Sequence, residues 1–169
     1  MAKSSYIQRA EKFAVLLAQE LEALGYDPHG KSRYRLSRIF EDAIVNINVR
    51  KGWNARSIID GSTRNVVLCS DYCIKIDKVQ RSCFGTSKDE YDFFLHHKND
   101  SYGQFLCPIS KVVINDYTFY IMPRVRGVGY TSAKRFPLFI REDMRDLHNM
   151  NIGVFHRQPI IIDYAAGFE

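Results

Sequence analysis

The sequence predicts an α+β fold, and three observations support that expectation. Apolar residues recur at helical intervals from Ile7 to Leu24 and again from Leu36 to Ile47. From Arg56 onward the texture changes to short β-type runs, broken by the turn-prone Asp60-Gly61-Ser62 and Ser70-Asp71. A helical segment, Lys88 to Lys98, then separates three strand candidates from two more. Composition permits such a fold. Of 169 residues, 46% are hydrophobic, 25% charged and 13% aromatic, which is enough to bury a core and excludes a disordered chain.

Taken in order, the first helix is predicted from Ile7, Ala10, Phe13, Ala14, Leu17, Leu21 and Leu24, with Ser5 and Gln8 at capping-box spacing and Gly25 as its stop. Asp27-Pro28-His29-Gly30 reads as a loop. The second helix carries Leu36, Ile39, Phe40, Ala43, Ile44 and Ile47 at three- and four-residue steps. Its basic start, Lys31, Arg33, Arg35 and Arg38, reads most simply as a solvated helix face, although it has the chemistry to touch phosphates. Strands are predicted at Arg56 to Ile59, Asn65 to Leu68 and Tyr72 to Ile76. In the helix that follows, Tyr91, Phe94 and Leu95 should share the buried side. Leu106 to Ile114 and Tyr117 to Met122 should pair across Asn115-Asp116. A mostly helical piece around Phe136 to Leu147 precedes two short strands, Ile152 to Phe155 and Pro159 to Ile162. There is no internal repeat and no low-complexity linker.

Charge and cysteine usage narrow the class without choosing a function. Lys and Arg number 24 against 19 Asp and Glu, a net +5 that favours anionic partners of any kind. No apolar run approaches the ~20 residues of a membrane span, so no membrane partner is expected. The first residues, MAKSSYIQRAEK, hold no signal-peptide core. Cys69, Cys73, Cys83 and Cys107 lack paired C-x-x-C spacing, and free thiols in a reducing cytoplasm are expected. His96, His97 and His156 have no ligand partners at metal spacing and read as surface residues.

The chemistry concentrates near the C-terminus, in Asp146-Leu147-His148-Asn149-Met150-Asn151 followed by Ile160-Ile161-Ile162-Asp163. An Asp and an Asn leave a helix and enter a strand, and a second Asp follows an apolar strand. Such an arrangement brings one carboxylate to a substrate hydroxyl and puts an Asn oxygen and a second carboxylate on a metal that holds phosphates. Hard oxygen ligands suit Mg²⁺, which keeps several waters and needs only one or two carboxylates plus phosphate. Taken alone, D-x-x-x-x-N is a common pattern, and Lys75 alone would read as a solvated strand residue.

These residues resemble the protein-kinase-like superfamily, in the D-L-H-x-x-N form of catalytic loop familiar in aminoglycoside-kinase-like and small bacteriophage kinase-like proteins. Met144-Arg145 keeps the Arg of the eukaryotic His-Arg but not the His, and Asp163-Tyr164-Ala165 keeps the Asp of D-F-G but not the Gly. Tyr72-Cys73-Ile74-Lys75-Ile76 resembles the third-strand V-A-I-K, and Glu90 in the next helix is the candidate partner of Lys75, with Asp89 and Asp92 competing for that role. Gly61-Ser62-Thr63-Arg64-Asn65-Val66 resembles the short G-x-x-R-x-V hairpin that replaces a glycine-rich loop in phage kinase-like proteins. Tyr120-Ile121-Met122-Pro123-Arg124 takes the place of the strand and hinge against which adenine lies. Gly127 and Gly129 read as turn residues, and His148 as a residue that orients its loop by a hydrogen bond.

The resemblance implies a truncated kinase-like fold in three parts: a helical extension (1–52), an N-lobe and hinge (53–126), and a minimal C-lobe (127–169). The chain ends at Glu169, where a full kinase continues into an activation segment and further helices. The two N-terminal helices are therefore expected to pack under the catalytic loop or across a homodimer interface. The implied activity is an ATP- and Mg²⁺-dependent phosphotransferase acting on a host protein or on itself. Asp146, Lys75 and Glu90 would be catalytic, and Gly61, Ser62, Arg64, Lys75, Met122 and Arg124 would line the nucleotide site. Asn151 and Asp163 would hold the metal. The alternative is a kinase-like binding protein without catalysis that inhibits or redirects a host factor. A nucleic-acid partner rests on net charge and on Arg33, Arg35, Arg38, Arg50 and Lys51.

Overall fold

The computed structural model describes residues 4–30, 32–58, 63–78, 86–144 and 147–164. Helix α1 (Ser5–Ala23) buries Ala10, Phe13, Ala14, Leu17 and Leu21 of the predicted stripe, with Ala18 beside them, whereas Ile7 is only partly buried and Leu24, past the helix end, is exposed. The predicted Ser5–Gln8 capping box does not form. The helix starts one residue early, with Ser4 as N-cap and Ser5 already helical, and the Ser4 carbonyl takes the amides of Ile7 and Gln8 at 3.1 and 3.3 Å. The stop is as expected. Gly25, at φ +71°, donates to the Glu22 carbonyl while Tyr26 donates to Leu21, closing a Schellman turn.

Helix α2 (Arg33–Lys51) is capped by the Ser32 hydroxyl, which accepts from the Arg35 amide at 3.3 Å, and it ends at Gly52. Beyond it, the Asn48 side chain brackets Ala55, accepting from its amide at 3.0 Å and donating to its carbonyl at 2.8 Å. That clamp turns the chain into the sheet. Arg33, Arg35 and Arg38 are exposed, and Lys31 lies outside the described residues.

An antiparallel five-stranded sheet follows: β1 (Arg56–Ile58), β2 (Arg64–Leu68), β3 (Tyr72–Asp77), β4 (Ser110–Ile114) and β5 (Tyr117–Pro123), in the order β1-β2-β3-β5-β4. Helix α3 (Ser87–His97) connects β3 to the β4–β5 hairpin. The strand predicted over Leu106 to Ile114 is shorter. Leu106 instead forms an isolated parallel bridge with Ile161, and this diverts the chain until Ser110. Helix α4 (Leu138–Asp143) and a hairpin of β6 (Ile152–Phe155) and β7 (Gln158–Ile161) complete the described elements. The architecture is α+β. No described helix is long and apolar enough to cross a membrane.

Strand alternation sorts the interior into two cores on opposite faces of one sheet. Val67, Tyr72, Ile74, Ile76, Tyr117, Phe119 and Ile121 face α1 and α2. Cys73, Tyr120 and Met122 face the other way, toward Tyr91, Phe93 and Phe94 of α3, Ile140 of α4, and Ile152, Ile160 and Ile161 of the hairpin. The expectation that the N-terminal helices pack under the catalytic loop, of which residues 147–151 are described, is therefore corrected. Their apolar stripes cover the sheet face turned away from that loop, because residues of one parity in β3 and β5 are apolar and need cover there. The buried side of α3 is also corrected. It runs through Ser87, Glu90, Tyr91 and Phe94, leaving Leu95 exposed.

If α1 is an integral layer of the first core, Phe13→Ala removes a fully buried ring that packs edge-on against Trp53 at 5.0 Å. The expected loss is about 3–5 kcal/mol, read by urea denaturation. A loss below about 1 kcal/mol would mean that α1 is loosely held.

Candidate functional site: a buried ion-pair network at the sheet and α3

The site starts from Lys75, in the middle of β3 on the face turned toward α3. Its ammonium donates to Glu90 Oε2 at 2.7 Å and to the Ile162 carbonyl at 3.4 Å. Glu90 lies in the first turn of α3 with its side chain 0% exposed. Its second oxygen, Oε1, accepts from Arg64 Nη1 at 2.7 Å, and Arg64 Nη2 reaches Asp163 Oδ2 at the same distance. Two cations and two carboxylates thus form one neutral network drawn from β2, β3, α3 and the segment after β7.

The competition among the three acids of α3 is resolved by where each points. Asp89 belongs to the helix cap, accepting from the Thr86 amide and hydroxyl at 3.0 and 2.9 Å. Asp92 faces water and pairs with Lys88 one turn away. Glu90 alone of the three meets Lys75. The sequence reading missed the residue that sets the height of α3. Asp77, at the end of β3, accepts from the Ser87 amide at 2.8 Å and the Lys88 amide at 3.3 Å. A carboxylate at a helix N-terminus is favourable by both hydrogen bonding and dipole. Nothing in the sequence marks an Asp so far ahead of the helix as its cap.

Asp163 is fixed from both sides. Ile161 accepts from the Cys107 amide at 2.8 Å, Ile162 donates to the Asn151 carbonyl at 2.8 Å, and the Tyr164 hydroxyl donates to the Cys107 carbonyl at 2.7 Å. The same Ile162–Asn151 bond sets Asn151 opposite Ile162, the residue before Asp163. Asn151 is nearly buried, and its amide donates to the His148 carbonyl at 2.9 Å. His148 Nδ1 accepts from the Met150 amide at 3.2 Å, the loop-orienting part expected of it. Asn149 exchanges bonds with Gly129, and a Cβ on Gly153 would meet the Arg126 carbonyl at 2.7 Å. Glycine at 153 is what lets β6 approach the chain that leaves β5.

Burial pushes the Glu90 carboxyl up, with Lys75 and Arg64 opposing. Burial acts in the same direction on Asp163, but Arg64 and Lys75 outweigh it and hold that carboxyl below its ordinary value. Burial lowers the pKa of Arg64, yet Glu90 and Asp163 more than reverse this and raise it. The Cys73 thiol, on the same face, is pushed up by burial.

Met122 is buried opposite Cys73 in the β3–β5 pairing. The Arg124 guanidinium turns back to the Cys69 carbonyl at 2.9 Å, and its amide donates to Asp71, so this residue braces the β2–β3 turn. Arg9 of α1 pairs with Asp71 at the same turn. Gly61, Ser62 and Asp146, together with Arg145, Cys83 and Ala165, lie outside the described residues. Cys69, Cys73 and Cys107 are free thiols. Among the described residues, no group of three or more His, Cys, Asp or Glu side chains is placed to hold a metal ion. A scan of protein-family models and a search of curated proteins both find no match to this chain.

Two measurements test this electrostatic picture. Glu90→Gln leaves two cations around an uncharged amide and is expected to cost about 3–5 kcal/mol in urea denaturation, whereas Asp92→Asn should cost less than about 1 kcal/mol. Equal costs would dissolve the network's special status. Because the native pKa of Asp163 is depressed, its stabilising contribution is present above the ordinary carboxyl value of 3.8 and is lost as pH falls through the lower native value. The urea-midpoint gap between wild type and Asp163→Asn should therefore narrow as pH is lowered from 6 through the depressed native value, and a pH-independent gap contradicts the assignment.

Proposed function

We propose that the chain is an ATP- and Mg²⁺-dependent phosphotransferase with a protein-kinase-like core. The observation that carries this reading is the Lys75–Glu90 ion pair at 2.7 Å, joined through Arg64 to Asp163. A lysine held by a buried glutamate is a fixed positive point suited to nucleotide phosphates. The sheet order, with a helix between the third strand and the last hairpin, is compatible with a kinase N-lobe.

The residues present fit a magnesium nucleotide better than a free-standing metal centre. Asn151 and Asp163 would offer an amide oxygen and one carboxylate, from segments whose backbones pair through the Ile162 amide and the Asn151 carbonyl. Such a sparse oxygen set suits a cation that brings waters and phosphate oxygens with it. When bound, Mg²⁺ would supply neutralisation of phosphate charge. Lys75 would orient the phosphates, and Met122 and Cys73 would form the apolar surface on which a base lies. Asp146, in the catalytic-loop position by sequence, would orient the acceptor hydroxyl and take its proton. The acceptor is proposed to be a host protein or the chain itself, on the likeness of its motifs to phage kinase-like proteins. A second reading, a kinase-like binding protein without catalysis, is favoured by one observation. Asp163, the candidate metal ligand, is engaged by Arg64.

ATP with Mg²⁺ at roughly a hundredfold excess over Kd is expected to raise Tm by about 5–10 °C. Asp163→Asn should remove the Mg²⁺-dependent part of that shift. Asp146→Asn should keep the shift yet sharply lower phosphate transfer from labelled ATP to the protein itself or to host lysate. A shift without transfer in the wild type would favour the binder. No shift at millimolar ATP would overturn the phosphotransferase and leave only the non-catalytic binding protein.

A further inference from the structure

We propose that Arg64 is a positioning residue that exchanges a carboxylate for a phosphate. One of its arms holds Asp163 until a nucleotide takes that arm and leaves Asp163 to a divalent cation. This inference rests on the phosphotransferase reading above and assigns the residue that makes cation and nucleotide binding interdependent.

The two arms of Arg64 are unequal. Nη1 meets Glu90, whose side chain is 0% exposed and whose other oxygen is shared with Lys75. Withdrawing the arm from Glu90 strands a buried charge. Nη2 meets Asp163, whose side chain is 38% exposed, so water can take over its hydrogen bonds. The Asp163 arm is the one that releases.

Charge decides what releases it. Arg64, Lys75, Glu90 and Asp163 sum to zero. A divalent cation joining Asp163 alone would place two further positive charges beside Arg64 and Lys75, which is unfavourable in a site this sheltered. A nucleotide triphosphate arrives with compensating negative charge, and a guanidinium binds phosphate through the same planar fork that it offers to a carboxylate. Arg64 opens β2, and the β2–β3 register sets Val66 opposite Lys75, so both cations work from the same sheet face. The expected behaviour is cooperative. Cation alone binds weakly, and cation with nucleotide binds well. A lysine at position 64 delivers one point charge and cannot span Glu90 and Asp163 together.

Mn²⁺ serves as the probe, with free Mn²⁺ read by electron paramagnetic resonance on the full chain, with and without a non-hydrolysable ATP analogue. Wild type should bind Mn²⁺ weakly alone and more tightly with the analogue. Arg64→Lys should bind Mn²⁺ alone at least about tenfold more tightly than wild type, the loss of one charge-assisted hydrogen bond, and should show a smaller gain from the analogue. Arg64→Gln, which keeps amide donors toward Glu90, gives the same reading if the lysine variant fails to fold. Analogue-dependent Mn²⁺ binding in wild type, with unchanged Mn²⁺ affinity in both variants, overturns the exchange and leaves the phosphotransferase reading standing. No Mn²⁺ binding to any form under either condition overturns both.

Discussion

The structure around the site depends on a carboxylate that has no water. Glu90 is wholly enclosed, and an ionised group in that position is tolerable only with cations on its oxygens. Lys75 and Arg64 supply one each, and this requirement propagates outward. Arg64 and Lys75 sit on adjacent strands and on the same sheet face, so the β2–β3 register cannot slip by one residue without turning a cation to the opposite core. Helix α3 must sit at one height above the sheet, and Asp77 at the end of β3 holds its first amides there. The carboxylate, the register and the helix position are one constraint expressed three times.

A second constraint comes from covering the sheet on both faces. Antiparallel sheets commonly leave one face to solvent, and their strands then alternate between apolar and polar residues. Here β5 is almost continuously apolar, and β3 is so apart from Lys75 and its terminal Asp77. Such strands need two partners, and the chain provides α1 and α2 on one side, α3, α4 and the β6–β7 hairpin on the other. The helical pair therefore does more than extend the molecule. It stiffens the strands from which Lys75 and Arg64 project, and Arg9 ties it to the turn that Arg124 braces from behind.

Local signals explain which parts were legible in the sequence. The stripes of α1 and α2, the Gly25 stop and the order of strands about α3 all rest on spacing within a few residues, and each has the form expected. The pairing of Lys75 with Glu90 was legible as a candidate because a lone lysine in an apolar strand and an acid in the next helix have few other places to go. What escaped was set by tertiary geometry. Leu95 looked like a core residue, but the helix is rotated to deliver Glu90 inward, and an apolar side chain is surrendered to solvent in return. The Leu106 strand was shortened by a bridge to Ile161, a partner far along the chain. Asp77 and the second arm of Arg64 carried no local signature, since each acts on a residue brought near only by folding.

Arg64 is the point at which the two functional readings part. Its fork closes the network to neutrality, so the resting site presents no net charge to attract a cation by itself. A protein that used this arrangement only as a scaffold would need both arms permanently filled, and would gain most by burying Asp163 as deeply as Glu90. Asp163 is instead left partly open, at the edge of the ion-pair network. A carboxylate 38% exposed can give up its arginine at less cost than an enclosed one, because water is at hand to replace it. The same openness makes the contact easy to trade for a stronger one. The unequal burial of two carboxylates held by one guanidinium therefore argues for a site arranged to rearrange around an incoming anion, with Glu90 as the anchor and Asp163 as the group that changes partners.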